Sequence, residues 1–331
     1  MLIETECPKL PPKERLYDYG GTDVSCILGA NKYKSKFQYW LEKTKKVEPE
    51  DVQGDAVYFG VQQENQIVEE FRTRFKVKEK VNKSVKVSLL MSDELRERAK
   101  ASGITLGGEC DAIVRNCAHF GCDVIVEAKT ANSYSWKENF QNGKEIPIYY
   151  DTQGAFYCGM TGIRTVIFCI LTDGKYYFIR RDYTDAECKF AMDAVFEFHN
   201  DHILNGEAPP IDGGEACTEF IKDVASKIPQ GSCSAEDFGI EDNIKSLFEI
   251  KKQIKDLEVA KNENENKIKA AIDNFQECYS NEFKLTYKPR QDSISLDTVA
   301  IKVANDRLYN DLVSKYGKTR SGGRPLLIKE I

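Results

Sequence analysis

The chain reads as an α/β protein built around a central sheet, and three observations support that reading. The segment GVQQENQIVEEFRTRF places Ile67, Val68 and Phe71 at helical spacing. Alternation then replaces that period, with Val77, Val81, Val85 and Val87 on one parity, and further strands are expected at Cys110 to Arg115, Cys122 to Ala128 and Arg164 to Leu171. Between the last two strands lies YYDTQGAFYCGMTG, whose apolar spacing predicts a helix from about Asp151 to Gly159. The order of helix, strands, helix, strands is that of helices packed on a central sheet.

The elements follow in chain order. TDVSCILGANKYKSKFQYWLEKTKK reads as two short helical pieces broken near Gly29, with Ile27, Leu28, Phe37, Trp40 and Leu41 available for burial and a basic exposed side. Glu64 stands near the start of the helix that carries Ile67. The strand from Arg164 runs into the turn Thr172-Asp173-Gly174-Lys175 and a partner strand, Tyr176 to Arg180. A helix from Asp185 to about Leu204 places Phe190, Ala191, Ala194, Val195 and Phe198 on one face. Residues 205–239 are rich in Gly, Pro and Ser and read as a connection. From Ile240, apolar residues recur at steps of three and four in a highly charged background, as in a long helix or coiled-coil arm; a hairpin turning around Asn262 is the alternative. The tail holds a strand-like FKLTYKPR, an amphipathic helix around Leu296 to Tyr316, and a basic end with Lys315, Lys318, Arg320 and Arg324. The expected organisation is a first domain over residues 1–210, a linker over 211–239, and a helical arm and tail over 240–331.

Composition narrows the class. With 331 residues, 41% hydrophobic and 30% charged, the chain has the make-up of a water-soluble globular protein and no run long enough to span a bilayer. No basic, then apolar, leader opens it, so it is expected to stay in the cytoplasm where it is made. Eleven cysteines, an odd number and without an export signal, are expected as thiols. Cys110, Cys117 and Cys122 around His119 could hold zinc or part of an iron–sulfur cluster, against the simpler reading of buried thiols. The net charge of −6 does not exclude nucleic acid, because Arg72, Arg74, Lys76, Lys78, Lys80, Lys83 and Lys86 form a basic stretch opposed locally only by Glu79.

The chemistry concentrates on two neighbouring strands. Glu127 and Lys129, two residues apart in CDVIVEAKT, share one strand face, and Asp111 lies on the preceding strand. Two carboxylates with the Ala128 carbonyl between them offer the hard oxygen ligands that Mg²⁺ takes, leaving room for water and phosphate oxygens. A lysine beside them can orient water, stabilise developing charge or, if its pKa is lowered, act as general base. A strand salt bridge is the plainer alternative, but charges at the end of so apolar a strand are costly unless partnered or used.

In its order of motifs the chain resembles the PD-(D/E)XK nucleases, in particular the phage YqaJ-type recombination exonucleases, which are similar to lambda exonuclease. The resemblance rests on Gly20-Gly21-Thr22-Asp23-Val24 through KSKFQYWLEKT, Gly60-Val61-Gln62-Gln63-Glu64, GGECDAIV, CDVIVEAKT and the Gln153 helix, and it covers roughly residues 15–210. It implies a restriction-endonuclease-like core, metal binding by Asp111, Glu127 and the Ala128 carbonyl, and support from Glu64, directly or through water. It also implies that Lys129 acts on the attacking water, that Gln153 holds the lysine or a water, and that Arg15 and Thr22 engage a terminal 5′ phosphate. Two departures stand out. Cys110 replaces the usual proline before the aspartate, and TANSYSWK lacks the family's phosphate-binding arginine, leaving Lys137 as a partial substitute.

The function so implied is a Mg²⁺-dependent exonuclease, with Mn²⁺ able to substitute, that degrades the 5′ strand of linear double-stranded DNA. The partners implied are DNA ends, a single-strand-annealing protein and further copies of the chain, in a bacterial host's cytoplasm. An endonuclease or nickase on the same fold is one alternative. A non-catalytic DNA-binding or assembly protein, with structural carboxylates, is the other.

Overall fold

The computed structural model describes residues 7–10, 16–49, 52–224, 231–289, 292 and 295–318. They fall in two compact units, Met1–Val224 and Ala225–Ile331. In the first unit the chain runs through α1 (Gly21–Ile27), α2 (Lys36–Lys43), α3 (Asp55–Arg74), β1 (Val81–Lys86), α4 (Asp93–Ala101), β2 (Glu109–Cys117) and β3 (Cys122–Thr130). It continues with α5 (Ser133–Glu138), α6 (Ile148–Thr161), β4 (Thr165–Thr172), β5 (Lys175–Asp182), α7 (Asp185–Phe198) and α8 (Glu215–Val224).

The five strands form one sheet in chain order. Neighbours pair antiparallel except β3 and β4, which run parallel with Glu127 opposite Phe168 and Lys129 opposite Ile170. A parallel pair needs a long crossover, and α5 and α6 supply it. The β4–β5 pair is instead closed by two residues, Asp173 and Gly174, both at positive φ (48° and 70°), as the primed hairpin turns require.

Helices cover both faces of the sheet. On one, Ile67, Val68 and Phe71 of α3 pack on Val124, Val126 and Ile167; on the other, Phe156 and Met160 of α6 and Val195 and Phe198 of α7 pack on Ile125, Val166 and Phe168. All eight residues of β4 are buried, which explains its unbroken apolar run. Each fully buried Phe or Ile in these layers contributes roughly 1.5–3 kcal/mol through removal of apolar surface from water. The basic stretch is partly neutralised by the fold: Lys83 pairs with Glu69 (2.8 Å) and Arg74 with Glu70 (2.5 Å), so Glu79 is not its sole acidic neighbour.

The boundary differs from expectation. Within 211–239, α8 buries Cys217 and Phe220, so the first unit extends to Val224 rather than ending at 210. Gly and Pro before Glu215 masked this short amphipathic helix.

In the second unit α9 (Glu241–Ala271) is one continuous helix of 31 residues, and the hairpin around Asn262 does not form. Glu263–Lys267 and Glu265–Lys269 pairs, at 2.6 and 2.8 Å, support the polar stretch in helical form. After it come a small hairpin, β6 (Glu277–Tyr279) and β7 (Lys284–Thr286), then α10 (Thr298–Ala304) and α11 (Asp306–Tyr316). These two replace the single tail helix expected, because Asn305 leaves helical geometry (φ −156°, ψ 88°) and caps α11 through Leu308 N–H.

Candidate active site

The sheet brings Asp111, Glu127 and Lys129 together. Ala112 pairs with Val126 across β2 and β3, so Asp111 stands beside Glu127, and its Oδ2 accepts a hydrogen bond from Ala128 N–H at 2.6 Å. Lys129 Nζ donates to Glu127 Oε2 at 2.8 Å. Glu127 is only 1% exposed, and its second oxygen, Oε1, is buried with no hydrogen-bond partner in the structure. An ionised carboxylate with an unsatisfied oxygen is expensive in a dry setting. Burial accordingly pushes the Glu127 carboxyl from 4.5 to about 7; Lys129 opposes that shift, while Asp111 and Glu64 add to it.

For Lys129 burial acts downward, but Glu127 and then Asp111 outweigh it and hold the ammonium above its ordinary range. Two carboxylates beside it favour the protonated form of Lys129. The ammonium also lies 5.0 Å from the centre of the Tyr150 ring. Among the described residues no group of three or more His, Cys, Asp or Glu side chains is gathered to hold a metal ion. The set of Cys110, Cys117, Cys122 and His119 is not such a cluster; His119 packs edge-on against Phe75 and Phe120.

The other expected residues stand at varying distance from this pair. Glu64 lies on α3, on the opposite side of the sheet from α6, yet close enough to raise the Glu127 pKa. Gly60, one turn earlier, explains how: a Cβ there would meet Thr130 Oγ1 at 3.4 Å, so α3 comes in close at the end of β3. Gln153 is buried on α6, and its Nε2 donates to Tyr157 Oη at 3.2 Å. Thr22 is exposed in the first turn of α1, whose Gly21 touches Gln153 and Tyr157. Lys137 is a surface residue of α5, 73% exposed, with Glu138 at 3.5 Å. Arg15, like Arg320 and Arg324, lies outside the described residues.

Comparison with known proteins shows the family. The YqaJ-like viral recombinase domain profile matches residues 13–164, a span that contains every candidate site residue. Over 283 residues the chain is 30% identical to the uncharacterized protein YqaJ of Bacillus subtilis (strain 168), covering 83% of this chain and 82% of that one. The chain belongs to the YqaJ-like viral recombinase family. Among solved structures, LHK-Exo, an alkaline exonuclease from Laribacter hongkongensis, in its complex with dAMP matches at 17% identity over 56% of this chain and 88% of its own, with a TM-score of 0.43. A phage-related exonuclease from Haemophilus somnus 129PT matches at 11% identity over 57% and 96%, with a TM-score of 0.39.

In this YqaJ-like chain, two tyrosines that sequence reasoning passed over, Tyr157 and Tyr183, tie the elements around the carboxylates together. Tyr157 Oη donates to the Glu109 carbonyl at 3.1 Å while accepting from Gln153, so it ties α6 to β2. The paired glycines make room for it: a Cβ on Gly21 or Gly108 would come within 2.8 or 2.9 Å of its ring. Asp151, at the start of α6, accepts from Tyr183 Oη (2.8 Å) and Arg181 Nε (3.0 Å), and Arg181 also reaches Glu187 on α7. In an apolar helix Tyr157 resembles a core residue; the one available signal was the pair of double glycines, Gly20-Gly21 and Gly107-Gly108.

Proposed function

We propose that this protein is a metal-dependent DNA exonuclease of phage-type recombination, acting 5′ to 3′ on linear double-stranded DNA. The observation behind this reading is the buried Glu127 carboxylate, whose Oε1 lacks a partner although Asp111 and Lys129 stand beside it. A strand salt bridge alone would leave that oxygen unsatisfied and set two carboxylates against one ammonium. A divalent cation would satisfy it.

Mg²⁺, with Mn²⁺ as substitute, fits the donor set. It keeps several waters and asks for only one or two carboxylates, so Asp111, Glu127 and the Ala128 carbonyl would suffice, with Glu64 reaching it through water. When bound, such an ion supplies a water of lowered pKa and neutralises charge on the phosphate. Lys129, held as ammonium, would donate a hydrogen bond to the attacking water or to a phosphate oxygen as charge builds. Gln153, bonded to Tyr157, would hold the lysine or a water in place, and Thr22, Arg15 and Lys137 are assigned to the terminal phosphate. DNA ends are the substrate, and an annealing protein would receive the exposed strand.

A time course on end-labelled linear duplex and on closed circles, with and without Mg²⁺, tests this. The reading predicts nucleotide release from linear ends only, and only with the cation. Rapid loss of circles would instead favour an endonuclease, and no loss of either would favour the non-catalytic reading.

A further inference from the structure

A chain of aromatic contacts leads outward from the carboxylate pair. Lys129 Nζ lies 5.0 Å from the Tyr150 ring centre, Tyr150 packs edge-on with Tyr149 at 4.5 Å, and Tyr149 packs edge-on with Tyr33 at 6.0 Å. Lys32 closes the row, its ammonium 4.8 Å from the Tyr33 ring and 5.6 Å from that of Tyr149. Tyr150 and Tyr149 are half-buried, and Tyr33 is 70% exposed.

The outermost ring is nonetheless held in place. Asn31 Oδ1 accepts from Tyr33 N–H (2.8 Å) and Lys34 N–H (3.0 Å), its Nδ2 donates to Ser25 Oγ of α1 (2.8 Å), and Lys34 pairs with Glu42 of α2 at 2.5 Å. An exposed aromatic ring on a pinned turn, flanked by a cation and joined by two further rings to a carboxylate site, does not serve the core. Its chemistry suits a flat, stacking and anionic ligand. Sequence-tolerant stacking of bases on aromatic side chains, with lysines tracking phosphates, is how unpaired strands are held.

We propose that Tyr33, with Lys32 and the edge of Tyr149, is a seat for an unpaired nucleobase of the strand whose phosphodiester bond lies at Asp111 and Glu127. The inference rests on the nuclease reading and adds a substrate requirement: the strand must be unpaired within a few nucleotides of the bond. A cleft of about 450 Å³ beside Lys32 and Tyr33 is walled by Glu215, Glu219 and Asp223 of α8. Those carboxylates repel phosphates, which confines the strand's backbone to the Lys32 side.

The test measures binding of the full-length chain, without divalent cation, to a short labelled oligothymidylate and to an abasic oligomer of the same length and charge. Phosphate contacts are common to both, so the ratio isolates the bases. The wild type should prefer the base-bearing strand by about tenfold, Tyr33→Ala should lose that preference, and Tyr33→Phe should keep it, with thermal melting confirming that each variant folds. Equal affinity for the two oligomers in the wild type, no binding to either, or a preference unchanged by Tyr33→Ala overturns the proposal. Cleavage of end-labelled DNA with Mg²⁺ is scored separately. A preserved base preference without cleavage supports the seat while sinking the nuclease reading, and cleavage without a base preference overturns the seat alone.

Discussion

Glu127 and Lys129 form a buried pair in which neither partner behaves as it would in water. Glu127 is raised from 4.5 to about 7, mainly by burial, so between those values the folded chain holds a proton that the unfolded chain has released. The stability this group contributes is therefore complete below about pH 4.5 and is lost as pH rises through about 7. A divalent cation needs the deprotonated carboxylate and must displace that proton. Mg²⁺ should accordingly raise the melting temperature more at about pH 8 than at about pH 5; equal shifts at both would count against a metal at Glu127. Asp111, Glu127 and Lys129 could be read in the sequence because strand parity fixes which side chains share a face. The direction of the Lys129 shift could not, since it depends on burial, on Glu127 and on Asp111, the last eighteen residues away along the chain and adjacent only once β2 and β3 pair.

Helices and strands position the site through close approaches that only glycine permits. At Gly21 a Cβ would lie 2.8 Å from Tyr157 and 2.9 Å from Gln153 Cγ. Gly21→Ala should thus cost about 1–3 kcal/mol through overpacking and slow any cleavage, read from melting curves and initial rates. Tyr157→Phe removes one donor to the Glu109 carbonyl and one acceptor for Gln153. It should cost about 1 kcal/mol, and an unchanged melting temperature would show that the α6–β2 tie is slack. Strand positions were legible from alternation and from the apolar runs of β3 and β4. Helices α4, α5 and α8 were not. α4 buries only Ala99 and shows little apolar periodicity, while α8 hides behind Gly213-Gly214 and carries just Cys217 and Phe220 inward. The tail helix was read as one because apolar spacing continues across Asn305, whose side chain starts a second helix instead.

Charge and assembly belong to the chain as a unit. With a net charge of −6, attraction to DNA must come from local basic stretches, so binding should weaken steeply as salt rises, because phosphate contacts release counterions. A salt-independent affinity would contradict that. On α9, Leu247, Ile250, Ile254 and Leu257 recur at alternating steps of three and four, and Leu257 is 68% exposed. Leu257→Asp tests whether this exposed seam pairs copies of the chain: a mass in sedimentation below that of the parent is the outcome self-association predicts, and an unchanged mass contradicts it. The arm was legible from its period, but its weak apolar seam near Lys261 to Glu265 left a turn open, and the glutamate and lysine pairs hold the helix straight through. The sharpest trial of the whole account is Glu127→Gln, a nearly isosteric change that removes the charge, assayed on end-labelled linear duplex with Mg²⁺ alongside DNA binding. We predict cleavage lowered by at least about a hundredfold, as expected when stabilisation of transition-state charge is lost, with binding retained. Full cleavage by this variant would contradict the account.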